Sequence, residues 1–279
     1  MSSFKNKVDF AVVIQVNRAN PNGDPLNDNR PRTTYDGYGE ISDVCLKRKI
    51  RDRLAENGLP IFIISDDKKT DDATSLRDRA TKALGKALMG SEIETQACLR
   101  WFDVRAFGQL FAFKSSKDKD TATGDTGVSI GIRGPVTIQH AISVEPVSVT
   151  SMQIIKSTCS EEPKDGKKKS SDTMGMKHYV NHGIYVFKGS INIQQASRTS
   201  FSAEDAEILK NILPKMFEND ASAARPEGSM EVLKVIWWEQ LGYGKHSSAK
   251  VHHSLSVNPD GTYEIANLEG ITPEVIDGY

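Results

Sequence analysis

The 279-residue sequence has few cysteines and no long apolar run. Its three cysteines, Cys45, Cys98 and Cys159, are odd in number and far apart, which argues against a disulfide framework and a cysteine-rich zinc site. The start of the chain is mostly polar, and no later stretch is long and apolar enough to cross a bilayer. We therefore expect reduced thiols, no secretory signal, no membrane span and a cytoplasmic location.

Motifs of familiar enzymes are also absent. None of the six histidines has the paired helical spacing of a zinc protease. Gly242, Gly244 and Lys245 lack the spacing of a phosphate loop, and there is no serine elbow. These absences exclude the common hydrolase and kinase machineries, and the sequence predicts neither a metal nor a cofactor.

A large excess of positive charge is missing as well. The formal net charge is −1 at pH 7, whereas a dedicated nucleic-acid-binding domain is usually more basic. The cations are nevertheless unevenly distributed, and five of them crowd one predicted helix: Lys47, Arg48, Lys49, Arg51 and Arg53. A protein with such a distribution can bind phosphate on one side.

The most informative segment that is present is a turn-rich loop. It spans Asn20–Pro25 and is followed by Arg30 and Arg32. Two prolines and a glycine set tight bends, and the Asn and Asp side chains can cap backbone groups or present hydrogen bonds outward. A calcium loop is excluded, because Pro31 stands where an EF-hand needs its bidentate Glu. Both an ordinary loop and a binding loop remain open.

Hydrophobic periodicity predicts the first core elements. Val8–Val16 alternates in the period of a half-buried strand. Ser42 is placed as an N-cap, and Leu46, Ile50 and Leu54 then recur every fourth residue. We therefore expect a helix of about four turns after the strand.

Later segments repeat this β and α pattern. Four more strand-like runs are predicted, at 128–139, 142–155, 179–193 and 232–238. A second helix is expected from the capping-box pair Ser202 and Asp205 to Pro214. Charged stretches within 60–125 indicate a large insertion, and the lysine-rich run 164–172 interrupts a later strand. The order β, α, insertion, β, insertion, β, α, β is that of a ferredoxin-like α+β fold.

Three surfaces are candidates for binding phosphate. Lys47 and Arg51 lie one turn apart on the first helix, and such a pair can follow a phosphate backbone. Gly242–Lys250 is a loop of small and basic residues. Arg133 stands among glycines, which suit the close approach of another chain or a tight bend equally well. A solvated helix face or a plain turn also explains each surface, and the helix is the strongest of the three.

Ordered matches along nearly the whole chain identify a family that these residues resemble. The matching segments are 20–32, 35–53, 103–108, 129–136, 172–177, 219–231 and 247–252. Together they resemble the repeated backbone subunit of type I-C CRISPR surveillance complexes, a branch of the repeat-associated mysterious protein superfamily.

The resemblance implies a hand-shaped α+β subunit. Its palm is of RNA-recognition-motif (ferredoxin-like) type and comprises residues 1–59, 126–150 and 178–260. The fingers are the insertion 60–125, the thumb is a β-hairpin at 151–177, and 261–279 is a tail. All of these form one elaborated domain.

The function implied by the resemblance is a non-catalytic scaffold. Copies polymerise along one CRISPR RNA in a type I-C Cascade complex and present the guide for pairing with target DNA in antiviral defence. The implied partners are the RNA, other copies of the chain, other Cascade subunits and a recruited helicase-nuclease. A scaffold that accepts any guide must hold phosphates and shape without reading bases.

The residues and the resemblance together give a set of expected RNA contacts. The resemblance singles out Ser42, Lys47 and Arg51. The whole set is Asn20, Asn22, Arg30, Arg32, Ser42, Lys47, Arg48, Arg51, Arg133, Lys245, Ser247 and Lys250. In the thumb, Met152 and Met174 either displace bases or pack inside the hairpin, and Lys177 lies beside them.

A ribonuclease is the alternative. Type III relatives cut RNA with a loop aspartate, and Asp24, Asp28 and Asp36 lie in the corresponding region. Such an aspartate needs a metal ion or a partner base, and no further carboxylate pair or histidine is recognisable beside it. A metal-dependent endoribonuclease therefore stays the weaker interpretation.

Overall fold

A computed structural model describes residues 3–85, 91–113, 128–155 and 174–279. The strands are β1 (Lys7–Ala19), β2 (Gly23–Asp24), β3 (Arg30–Pro31), β4 (Tyr38–Ile41), β5 (Gly108–Phe113), β6 (Val128–Arg133), β7 (Val136–Ile138), β8 (Ala141–Pro146), β9 (Val149–Ile155), β10 (Met174–Ile191), β11 (Met230–Gln240), β12 (Leu255–Val257), β13 (Tyr263–Ile265) and β14 (Glu274–Asp277). The helices are α1 (Asp43–Glu56), α2 (Leu76–Leu84), α3 (Ser91–Arg100), α4 (Phe102–Phe107), α5 (Ile193–Thr199), α6 (Ala203–Ile212) and α7 (Ser248–His253), and a 3₁₀ turn covers Leu213–Lys215. The predicted lysine-rich run 164–172, Cys159 and the charged stretch 114–125 lie outside the described residues.

Strand β1 lies in the interior of an eight-stranded sheet. The strand order is β14-β11-β1-β10-β8-β4, and β7 and β9 also pair with β10. All of these pairings are antiparallel. The register of β1 against β10 runs from Val8 opposite Ile191 to Ala19 opposite Val180. The predicted mixed α+β architecture with an antiparallel sheet is confirmed.

Helices α1 and α6 cover one face of this sheet. Leu46, Ile50 and Leu54 of α1 are fully buried with Phe10 and Ile14 of β1. Each fully buried Leu or Ile side chain contributes about 1.5–3 kcal/mol relative to an exposed one. The periodicity that predicted this helix therefore reflects its packing against β1.

The expected helix starts are also confirmed. The Ser42 hydroxyl caps α1 by accepting a hydrogen bond from the Cys45 amide at 3.3 Å. Ser202 and Asp205 form a reciprocal capping box at the start of α6. Each device satisfies amides of the first turn that have no partner inside the helix.

The prediction that β1 is half-buried is wrong, because its second face is covered too. Ala11 and Val13 are completely buried against a second cluster that includes Trp238, Val251 and Leu255. Val251 belongs to α7 and Leu255 to β12, so the C-terminal part of the chain packs over this face. Alternation within one strand contains no information about a segment more than 200 residues away.

The insertion after α1 has a hydrophobic cluster of its own. The ring centroid of Phe62 lies 4.7 Å from that of Trp101 and 5.2 Å from that of Phe111. The cluster also contains Ile132, because β6 pairs with β5 in a separate two-stranded sheet. The single run predicted at 128–139 is therefore two strands, of which only β7 joins the large sheet.

A glycine explains the break between those two strands. A Cβ atom on Gly134 would lie 2.3 Å from the Ala106 carbonyl oxygen and 2.5 Å from the Gly108 nitrogen. Such distances are far inside van der Waals contact, so only glycine fits there. The sequence left open the close approach of another chain or a tight bend, and at Gly134 the structure shows a close approach of backbone from the same chain.

None of the described helices is long and apolar enough to span a membrane.

Candidate nucleic-acid interface

The loop 20–32 leads from the end of β1 through β2 and β3, and its own asparagines fasten it to the N-cap of α1 and close it on itself. Asn22 Oδ1 accepts hydrogen bonds from the Ser42 amide at 2.9 Å and from the Ser42 hydroxyl at 2.8 Å. Asn20 is buried, and its Nδ2 donates to the Asn29 carbonyl at 2.7 Å. Three expected RNA contacts, Asn20, Asn22 and Ser42, therefore have well-defined roles in shaping the loop.

The tip of the loop is a tight turn. Asp24 Oδ1 accepts from the Leu26 amide at 3.3 Å, and its carboxylate lies 3.5 Å from Arg32. Asp28 and Asn29 both have positive φ, at 51° and 56°, a conformation that Asn and Asp tolerate better than most residues. Leu26 is 97% exposed at the tip. The turn thus presents an apolar side chain to solvent and keeps Arg32 beside it.

Arg30 joins this loop to the hairpin that β9 forms with the first part of β10. Its Nη2 donates to Ser151 Oγ at 2.5 Å, and its Nε lies 3.5 Å from His178 Nδ1. His178 Nε2 lies in turn 3.5 Å from Asp28 Oδ2. The loop and the base of the hairpin are therefore held together by side chains more than 100 residues apart.

The hairpin exposes apolar side chains. Met152 stands opposite Lys177, and Ile155 stands opposite Met174. Because paired residues share a face and successive residues alternate, Met152 and Met174 lie on opposite faces. They are 43% and 62% exposed, so neither packs inside the hairpin as one of the two expectations had it.

The prediction that Lys47 and Arg51 form an open pair of cations on α1 is wrong. Arg51 is 9% exposed, and its Nε donates to Asp103 Oδ2 at 3.0 Å. Asp103 also accepts from the amides of Phe62 and Ile63. Arg51 therefore fastens the insertion to α1, which the spacing within one helix could not reveal. Lys47 is paired with Asp43 at 2.9 Å.

The other cations of α1 are also mostly engaged. Lys49 is buried and paired with Asp220, and both terminal nitrogens of Arg53 donate to Glu56. Arg48 is exposed, and it makes no hydrogen bond or ion pair to any residue in the described part of the chain. Arg48 is thus the open cation of this helix.

The remaining expected contacts lie elsewhere. Lys245, Ser247 and Lys250 follow β11, whose end pairs with the start of β1 at Lys7. The loop 20–32 follows the other end of β1, which is 13 residues or roughly 40 Å long. Arg133 is exposed on the separate β5–β6 sheet. The structure brings together the loop 20–32, the start of α1 and the hairpin, and this is the candidate interface.

Two pKa shifts reflect the surroundings of this interface. Although burial raises it, the pKa of Asp43 is lowered overall by the hydrogen bond from Lys47 and by the charges of Lys47 and His140. Burial lowers the pKa of Lys49, and the charge of Asp220 partly offsets this effect. Asp43 thus stays ionised and keeps Lys47 in place across the physiological range.

The loop aspartates do not assemble an ion site. Asp24 is engaged with Arg32, and Asp28 lies against His178. Asp36 is exposed. In the part of the chain that the structure describes, no group of three or more His, Cys, Asp or Glu residues could hold a metal ion.

Comparison with known proteins identifies the family. The sequence model of the family described as CRISPR-associated protein Cas7 matches residues 6–274. The chain belongs to the Cas7 family. A relative named CRISPR-associated protein Cas7 from Haloferax volcanii is 27% identical over 289 residues, which cover 98% of this chain and 81% of the relative.

Solved structures similar to this Cas7-family chain come from RNA-guided assemblies. A chain of a CRISPR RNA-guided surveillance complex, pre-nicking, has a TM-score of 0.48 and 16% identity over 83% of this chain and 75% of its own length. A chain of a second CRISPR RNA-guided surveillance complex has a TM-score of 0.46 and 15% identity, covering 92% of this chain and 77% of its own.

Sequence reasoning missed several residues that shape the interface of this Cas7-family chain. Arg225 donates from Nη1 to the Asn20 carbonyl at 3.4 Å and pairs with Asp220 at 3.2 Å. Ser151 and His178 hold Arg30. No local pattern marks these contacts with the loop 20–32, since Arg30 and Asn20 lie 121–205 residues away in the chain from the residues that hold them. The matching segment 219–231 was the one available signal for Arg225.

Proposed function

We propose that this Cas7-family chain is a non-catalytic, RNA-binding backbone subunit that polymerises along CRISPR RNA in a type I-C Cascade complex. One observation carries the proposal, namely the contact of Arg30 with Ser151 at the base of the hairpin. This contact places a guanidinium, which can bind phosphate, beside the hairpin, whose exposed methionines can contact bases. Grip on phosphate combined with apolar contact to bases is what sequence-independent binding requires.

The sheet and its helices serve as the palm in this proposal. The central strands have the order β11-β1-β10-β8, with α1 following β1 and α6 preceding β11. Numbered in chain order, the core strands lie in the order 4-1-3-2, and this order supports a palm of the RNA-recognition-motif type. The insertion 60–125 then forms the fingers, and the hairpin at 151–177 forms the thumb.

The proposed phosphate contacts at the palm are the cations of the candidate interface, of which Arg30 and Arg48 are exposed. Arg30 and Arg32 come from the loop 20–32, Arg48 and Lys47 come from α1, and Lys177 comes from the hairpin. Met152 and Met174 lie on opposite faces of the thumb, so each can displace a base on its own side. Arg133, Lys245, Ser247 and Lys250 are proposed to meet a different stretch of the RNA, because they lie at other places in the fold.

The near-neutral net charge agrees with repeated copies on one RNA. At −1 per chain, a filament of many copies avoids strong self-repulsion while each copy presents cations to the guide. The proposed partners are the RNA, target DNA paired with the guide, other copies, other Cascade subunits and a recruited helicase-nuclease in the cytoplasm. No cofactor takes part in this proposal.

The test is a gel-shift titration of the purified chain on labelled single-stranded CRISPR RNA with magnesium, with a denaturing gel run in parallel. A ladder of slow bands on intact RNA, independent of guide sequence, supports the proposal. The variant Arg30→Gln should weaken the ladder, and Arg198→Gln, which changes an exposed arginine of α5, is the control. Discrete cuts that disappear in Asp24→Ala or Asp28→Ala would overturn the proposal in favour of an endoribonuclease.

A further inference from the structure

A groove lies on the second face of the large sheet, beside the small sheet that β12 forms with β13. Ile142, Val144 and Val186 form its apolar floor, and Leu255 and Val257 of β12 form one wall. The volume of the groove is about 290 Å³. Among the described residues, β13 contributes nothing to the lining, so the edge of β12 that faces the groove is the one that β13 leaves unpaired.

Main-chain groups of β12 point out from this unpaired edge. Hydrogen bonds to the strand opposite flank β12 at the Ser254 carbonyl and at the Asn258 amide. Because bonded and non-bonded positions alternate in an antiparallel pair, Ser256 also bonds to β13, whereas Leu255 and Val257 direct their N–H and C=O groups away from it. These four groups make no hydrogen bond to another residue in the described part of the chain. The edge can therefore pair with one more strand.

A cation without a counter-charge lies at one end of the groove. Lys188 is partly buried, and its Nζ donates to the His252 carbonyl at 2.7 Å, which places it beside the start of β12. Burial lowers the pKa of Lys188, and no carboxylate in the described ranges opposes this effect. The neighbouring His140 is already in contact with Glu40 and Asp43. An occupant with a carboxylate at this end would supply the missing counter-charge.

We propose that this groove is a docking site for an extended segment of a protein partner, which adds a strand to β12, packs alternate apolar side chains on the floor and places a carboxylate beside Lys188. The unpaired strand edge favours a polypeptide, because a strand offers the matching N–H and C=O groups. RNA fits less well, since no described Phe, Tyr or Trp side chain lines the groove to stack on a base. The inference goes beyond the proposed function and does not depend on RNA binding.

A peptide titration of the full chain, followed by nitrogen-15 NMR, tests the docking site. The probe is the blocked peptide Glu-Val-Thr-Val-Thr at up to about 2 mM. Saturable shifts are expected at the amides of Leu255 and Val257, and the peptide should slow their hydrogen exchange at least about threefold. Only alternate amides of an added strand face β12. Of two peptides N-methylated at the Val or at the Thr residues, one should therefore bind at least about tenfold more weakly than the other, and equal binding would overturn the inference.

Three variants separate the charge from the floor. Lys188→Gln should weaken binding of the peptide at least about threefold, and it should leave unchanged the binding of a peptide with Gln in place of Glu. Ile142→Asp should weaken the binding of both peptides, because it places a carboxylate on the apolar floor. Val275→Asp, on the edge strand β14 and similarly exposed, is the control and should bind both peptides normally.

Other occupants would give different results. The absence of saturable shifts with either peptide up to about 2 mM would overturn the inference. So would a labelled single-stranded RNA that shifts the amides of Leu255 and Val257 and displaces the peptide. Protection of these two amides at high chain concentration that disappears on dilution would assign the groove to a second copy of the chain instead.

Discussion

Arg51 of α1 and Asp103 of α4 form a buried ion pair with an Nε to Oδ2 distance of 3.0 Å. The guanidinium also lies over the Phe107 ring, 5.2 Å from its centroid. Asp103 accepts two backbone amides of the segment that follows α1. One carboxylate thus ties together three separate parts of the chain, and the insertion is anchored to α1 at this point.

Removing one partner of this pair should destabilise the protein strongly. Asp103→Ala leaves Arg51 and two amides without their acceptor, so we expect a loss of about 3–5 kcal/mol in the free energy of unfolding. Urea denaturation measures it. Asp66→Ala, at an exposed surface pair with Lys69, is the control and should cost less than about 1 kcal/mol. Similar losses in both variants would show that the buried pair contributes little.

Substitutions of the neighbours Arg48 and Lys49 should change different quantities, the salt dependence of RNA binding and the stability of the fold. Arg48→Gln should reduce the slope of log affinity for RNA against log salt concentration by about 0.7 and leave stability unchanged, because Arg48 is exposed and without a partner among the described residues. Lys49→Gln should lower stability, since it leaves Asp220 without its buried cation. Fluorescence anisotropy at several salt concentrations and urea denaturation give the two quantities. An unchanged salt slope in Arg48→Gln would remove Arg48 from the interface.

Asp71 gives the insertion a defined response to acid. Hydrogen bonds from Arg79 lower the pKa of Asp71 to about 2, from an ordinary value of about 4. Because the folded state holds the proton less tightly, the pair stabilises the protein above about pH 4, and this contribution disappears as the pH falls toward 2.

In a comparison of melting temperatures, Asp71→Asn should therefore lie below the wild type near neutral pH and approach it between about pH 4 and 2. The corresponding difference in the free energy of unfolding should stay under about 1 kcal/mol, since the carboxylate is 43% exposed. Asp72→Asn, which removes a surface carboxylate that is 89% exposed and paired with Lys82, is the control. A gap that widens on acidification would contradict the assignment.

Gly134 and Gly131 form a matched pair of glycines. Gly134→Ala would place a Cβ 2.3 Å from the Ala106 carbonyl oxygen, whereas the nearest atom to a Cβ on Gly131 is 3.9 Å away. We expect Gly134→Ala to cost about 1–3 kcal/mol and Gly131→Ala to be nearly neutral. Thermal unfolding of the two variants would decide, and equal melting temperatures would show that the backbone can shift to accept the methyl group.

Local patterns predicted those elements that local physics determines. The N-cap at Ser42 and the capping box at Ser202 depend on residues three positions apart, and both are present. The burial of Arg51 and the covering of the second face of β1 depend on segments 50 to 240 residues away, which no window along one element contains. The same distance hid the roles of Ser151 and His178, although Arg30 itself stood out in the sequence.

Strand β10 is continuous for 18 residues, from the exposed hairpin at Met174 to the buried centre of the large sheet at Ile191. Its inner half is paired with β1 and its outer half with β9. Because side chains alternate strictly along a strand, the buried half dictates which way every exposed side chain points. Inserting a single residue near Val180 would exchange the two sides of the hairpin while the core stayed intact. The register of β10 in the buried sheet thus sets the direction in which the exposed side chains of the hairpin point.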